Sequence, residues 1–124
     1  MADFVKKAKD YFEIGYISQC LKKFDVSCTN YFKSLSAVND YLLFSKKLFA
    51  KDHSSRFNLL RKNFPYNYKI TSSLFLLYRR TYTKKVDSKD SEYLFKKLRE
   101  VFESAKVEIP SVEGIKKEVK KIFG

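Results

Sequence analysis

Residues 25–49 read DVSCTNYFKSLSAVNDYLLFSKKLF. Cys28, Tyr31, Phe32, Leu35, Val38, Leu42 and Phe49 recur at the spacing that puts side chains on one face of an α-helix. Val26, Ala37, Tyr41, Phe44 and Leu48 form a second stripe nearly opposite the first. A helix apolar on two sides is central in a bundle, or shares its second side with another subunit. Asp25 is placed to cap its start. These residues set the fold class as an all-α, up-down bundle of five to six helices.

Working outward, the same period holds nearly throughout. Upstream, a helix from about Ala2 to Lys22 places Phe4, Ala8, Tyr11, Phe12 and Gly15 on one face, with Ile14, Ile17 and Leu21 about a third of a turn around. Gly15 permits a bend or close packing. Downstream, Asp52 caps a short helix with Phe57, Leu60 and Phe64 inward, which stops at Phe64-Pro65 because proline disfavours helical geometry in its predecessor. Residues 65–69 read as a loop, followed by a helix capped by Thr71 or Ser72 with Leu74, Phe75, Leu77, Tyr78, Thr81 and Tyr82 inward. Arg80 and Lys84 share a flank of it, and Arg79 and Thr83 lie across its outer surface. Asp87-Ser88 opens a fifth helix, where Leu94, Phe95, Leu98, Val101, Phe102 and Ala105 make the cleanest stripe. After Pro110-Ser111, an amphipathic helix sets Val112, Ile115, Val119, Ile122 and Phe123 against Lys116, Lys117, Lys120 and Lys121. The expected organisation is one helical domain over residues 1–124, with residues 111–123 as an added C-terminal helix.

With 124 residues, 44% hydrophobic and 17% aromatic, the chain can bury a core without disulfides or metal. No apolar run approaches the roughly 18 residues of a membrane span and no signal-peptide core opens the chain, so a cytoplasmic protein with no membrane partner is expected. Cys20 and Cys28 fit no zinc spacing and are expected to be small buried groups. Gly15, Gly114 and Gly124 are isolated and make no phosphate loop, and no cofactor or metal is expected.

Charge is the informative property. The formal net charge is +12, and residues 51–85 carry nine Lys and Arg against Asp52 alone. Residues 1–50 and 86–124 are nearly balanced by comparison. A field concentrated in this way attracts polyanions. Arg79, Arg80, Lys84 and Lys85 form the centre of a candidate nucleic-acid-binding surface, extended by Arg56, Arg61, Lys62 and Lys69. Tyr66 and Tyr68, in the expected loop, are candidates for stacking on unpaired bases. His53, the one histidine, reads as a helix-start residue, with a catalytic role left open if folding brings it to Arg79 or Arg80.

Three stretches carry a family resemblance. The first is Lys22-Lys23-Phe24-Asp25 with Cys28-Thr29-Asn30-Tyr31-Phe32, Leu35-Ser36-Ala37 and Tyr41-Leu42-Leu43. The others are His53-Ser54-Ser55-Arg56-Phe57 and Leu76-Leu77-Tyr78-Arg79-Arg80. Over residues 5–105 the chain resembles the HEPN superfamily of small helical-bundle proteins. What the resemblance implies is mixed: many members are RNA-cleaving toxins, or relatives paired with a nucleotidyltransferase-like partner, and members that lack the catalytic histidine are non-catalytic. Catalytic members follow an arginine with a histidine on the adjacent turn, near a dimer interface. Arg79 or Arg80 takes the arginine's place here, but Lys84, Lys85, Val86 and Asp87 occupy the positions where histidine would follow. An ordinary lysine is a poor base at neutral pH.

The expected function is therefore non-catalytic nucleic-acid binding, RNA over DNA. Two alternatives stand beside it. One is a protein-interaction subunit of a toxin–antitoxin-like pair or a homodimer, using the Val26, Ala37, Tyr41, Phe44 and Leu48 stripe. The other is a metal-independent ribonuclease built on Arg79 or Arg80.

Overall fold

The computed structural model describes residues 3–123 and is helical wherever it is regular. The element order is α1 (Phe4–Cys20), α2 (Phe24–Ser45), α3 (His53–Asn63), α4 (Pro65–Thr83), α5 (Ser88–Ser104) and α6 (Val112–Phe123). The expected start of the first helix at Ala2 lies outside the described residues. None of the helices is long and apolar enough to cross a membrane.

α2 is the centre of the bundle, with α1, α3, α4 and α5 all packed on it, while α6 rests on α1 alone. Its two stripes thus face different helices of the same chain. Tyr31, Phe32, Leu35 and Val38 join Phe12, Leu74, Leu94, Leu98 and Phe102 in the core. The second stripe is covered from within: Ala37 is buried, Tyr41 packs on the core, and Phe44 lies against Phe4 and Phe49 (ring centroids 6.1 and 5.3 Å apart). Of the five residues proposed as an oligomer interface, Val26 alone is exposed and Leu48 is half-buried.

The α1–α2 contact is close because the residues on it are small. Gly15 is buried, and a Cβ added there would stand 2.5 Å from the Tyr31 ring. Ser34 Oγ donates to the Ala8 carbonyl (2.6 Å), and Ser27 Oγ donates to the Gly15 carbonyl (2.8 Å) and lies 2.7 Å from Ser91 Oγ of α5. These buried hydroxyls find partners only when the helices are in register, so they fix the register that the apolar contacts leave loose.

Helix ends follow their local chemistry. Asp52 and Asp87 cap α3 and α5 in reciprocal capping boxes, with Ser55 and Asp90 as the returning partners. Asp25 is not a cap, because α2 already begins at Phe24; its carboxylate accepts from the Val26 amide. The cause lies upstream. Lys22 is left-handed (φ 60°), and the amides of Lys22 and Lys23 return to the carbonyls of Gln19 and Ser18, a tight reversal that starts α2 early. The same motif ends α2 at Lys47 (φ 61°), short of the expected Phe49, and ends α5 at Lys106 (φ 57°). All three positions favour glycine. Lys106→Gly is expected to raise unfolding stability by about 0.5–1 kcal/mol, read from the denaturant midpoint.

Pro65 opens α4 where a loop was expected. Proline ends the preceding helix but is well placed at the first position of the next, where no amide donor is needed. Thr71 is therefore no cap: it is buried mid-helix and accepts from Asn39 Nδ2 (2.8 Å), while Asn67 Nδ2 donates to Asn39 Oδ1 (3.0 Å). This polar triad ties α4 to α2.

The cysteines divide. Cys28 is buried as expected, but Cys20 is exposed at the end of α1. Burial pushes the Cys28 thiol up to about 12, so its thiolate is scarce at neutral pH. A thiol reagent at pH 8 should modify one cysteine in the native protein and two after unfolding.

Candidate nucleic-acid interface

No carboxylate side chain occurs between Asp52 and Asp87, and that span folds into α3, α4 and their short turn. The amphipathic period of α4 turns Asn67, Thr71, Leu74 and Leu77 inward. It leaves Lys69, Leu76, Arg79, Arg80 and Thr83 on the outward side. Arg61 and Lys62 occupy the last turn of α3, at the end of the hairpin where α4 begins. Lys84 and Lys85 follow α4 at the other end, both exposed. The basic residues thus fall in two groups, and Lys69 and Arg79 stand about 15 Å apart along the axis of α4.

Not all ten candidate residues serve this surface. Arg56 is withdrawn from it: Nε donates to Asp40 Oδ1 (2.8 Å) and Nη2 to Asp40 Oδ2 (3.1 Å), with both side chains largely buried. This bidentate pair holds α3 against α2. Arg80 is exposed but lies 3.8 Å from Asp90, so part of its charge is answered. Arg61, Lys62, Lys69, Arg79, Lys84 and Lys85 are exposed and form no ion pair among the described residues.

The aromatic assignments change with the start of α4. Tyr68 turns inward and packs edge-on against Phe57 (6.3 Å), so it is no stacking platform. Tyr66 is exposed, as a stacking role requires. Tyr82, expected inside, is 70% exposed and lines a shallow depression with Leu76, Arg79, Arg80 and Lys84. Each cluster of cations therefore has one open aromatic beside it: Tyr66 one turn before Lys69, Tyr82 one turn after Arg79. Tyr68 and Tyr82 lie on the same stripe of α4, and they differ because Phe57 of α3 covers Tyr68 while Tyr82 stays open near the far end of the helix.

His53 and the two arginines of α4 are not brought together into one site. Arg79 and Arg80 line the outer depression, whereas His53 lines a different cleft with Arg56, Asp40 and Tyr78. The His53 ring sits among Phe32, Phe75 and Tyr78, with centroids 5.6–6.0 Å away. Burial against these rings, then the charge of Arg56, holds its pKa below the usual imidazole range. Arg56 Nη1 lies 3.1 Å from His53 Nδ1. Guanidinium nitrogens only donate, so Nδ1 accepts and the neutral ring carries its proton on Nε2. The one lone pair with which His53 would act as a base is already engaged. Tyr78, with its pKa raised to about 12 by burial and by the 2.6 Å hydrogen bond to Tyr82, stays protonated.

Fold and surface together define an all-α helical bundle with a basic, acid-free hairpin on one side. Comparison with family models, curated proteins and solved structures finds no match to the chain.

Proposed function

We propose that the chain is a nucleic-acid-binding module that grips single-stranded RNA through the outer surface of α3 and α4 and does not cleave it. The observation that carries this reading is the set of exposed basic side chains on a hairpin that lacks any acid between Asp52 and Asp87. Such a surface neutralises phosphates without a carboxylate to repel them. Tyr66 and Tyr82 beside the cations favour unpaired bases, whose faces are free to stack, over a closed duplex. The resemblance to HEPN proteins, many of which act on RNA, agrees with this preference.

The ribonuclease reading is weaker, because neither Arg79 nor Arg80 has a free imidazole beside it and His53 is held by Arg56. The subunit reading loses most of its surface, since Ala37 is buried and Tyr41, Phe44 and Leu48 are each partly buried within the chain. The test is binding to a single-stranded RNA, the matching DNA strand and duplex DNA, with cleavage followed in the same samples. Tightest binding to the RNA with no cut product is expected. Preference for the duplex, or RNA cut by freshly purified protein, would overturn the proposal.

A further inference from the structure

The cleft where α1, α2, α3 and α4 meet has a volume of about 270 Å³ and shares no lining residue with the α4 depression. Lys7, Lys33, Ser36, His53, Arg56 and Tyr78 line it, together with a single carboxylate, Asp40. Asp40 is held on both oxygens by Arg56, so that pair is internally neutral. Lys7 and Lys33 pair with no carboxylate among the described residues, and the Lys33 ammonium sits over the Tyr11 ring at 5.7 Å. They leave the cleft with excess positive charge.

The neutral imidazole points the same way. With Nδ1 of His53 engaged by Arg56, Nε2–H is the ring's remaining polar group, and it is a donor. Ser36 also lines the cleft, but its Oγ is shielded from it and is not among the binding groups. The walls thus offer two ammonium groups and an imidazole N–H, while the one acidic group is already satisfied. The volume lies just below the range of drug-sized ligand sites, which begins at about 300 Å³. A tetrahedral oxyanion suits this size, whereas a bulky apolar ligand does not.

We propose that this cleft binds a phosphate group, either the terminal phosphate of a nucleotide or oligonucleotide, or one phosphodiester of a strand. The site is separate from the α3–α4 surface and does not depend on that surface binding RNA. His53 is the only imidazole in the chain, so its ring C–H signals in a nuclear magnetic resonance spectrum report on this cleft alone. The experiment titrates the protein at constant ionic strength with inorganic phosphate, with AMP, and with one short RNA in 5′-phosphorylated and 5′-hydroxyl forms.

Saturable shifts of the His53 signals with phosphate and AMP are expected, and Lys7→Ala/Lys33→Ala should weaken them at least tenfold. Both lysines are exposed, so the double variant should keep its fold, which its circular dichroism checks. Saturation by the 5′-phosphorylated RNA alone identifies a terminal phosphate as the ligand; saturation by both RNAs identifies the backbone. A shift matched by sodium chloride, or unchanged affinity in the double variant, overturns the inference. Salt-dependent RNA binding that persists in such a case would leave the function of the α3–α4 surface standing.

Discussion

Replacing Lys69, Arg79, Lys84 and Lys85 together with alanine should weaken binding to single-stranded RNA about 100-fold near 0.15 M salt. The figure follows from counterion release: each phosphate contact on a single strand contributes about 0.7 to the log–log salt slope, and four contacts extrapolate to about two orders of magnitude. The fold should be unaffected, because all four side chains are exposed and none is ion-paired among the described residues. Arg56→Ala should behave in the opposite way. It strands Asp40, which loses both of its hydrogen bonds to the guanidinium, so unfolding stability should fall by about 2 kcal/mol. RNA affinity measured well below the unfolding midpoint should barely move. Fluorescence anisotropy against labelled RNA, with thermal unfolding of each variant, separates the two kinds of arginine.

The second large effect belongs to the core. Gly15→Ala places a methyl group 2.5 Å from the Tyr31 ring, and Tyr31 has no room to retreat. That ring is fully buried, lies against Phe12 and Phe95, and is tied by its hydroxyl to Gln19 Oε1 (2.7 Å). Glycine is ordinarily the poorer helix residue by about 0.5–1 kcal/mol, so alanine elsewhere in α1 would stabilise it. Here overpacking wins, at a cost of about 1–3 kcal/mol, and the net change should be destabilising. A denaturant midpoint at or above that of the parent protein would show that α1 and α2 approach less closely than described.

Elements whose apolar period is uninterrupted could be read from the residues alone. α5 is the clearest case: Leu94, Leu98, Val101 and Phe102 are buried as their spacing requires, and Asp87 caps the helix as its place before them suggests. Buried polar residues could not be read in the same way. Ser27, Ser34, Asn39, Thr71 and Ser91 interrupt hydrophobic patterns, yet all are inside and all find hydrogen-bond partners on neighbouring helices. Their partners are remote in the chain, so no local pattern reveals them. The same limit hid the fate of Arg56, since Asp40 belongs to another helix. Pro65 was ambiguous for a different reason: the physics that ends α3 also suits it to open α4, and only the packing of Asn67 decides between them.

The charge map survived this redistribution in a narrower form. Arg56 leaves it, Arg80 is partly answered by Asp90, and Tyr82 replaces Tyr68 as the second open aromatic. What remains is six exposed cations on an acid-free hairpin: Arg61, Lys62, Lys69, Arg79, Lys84 and Lys85.

The most direct test of that surface is the salt dependence of binding to single-stranded RNA by the parent protein and the Lys69/Arg79/Lys84/Lys85 alanine variant. Six phosphate contacts predict a slope of log affinity against log salt of about −4, and loss of four should bring it to about −1.4. A flat response in the parent protein, or equal slopes for the two proteins, would contradict the account.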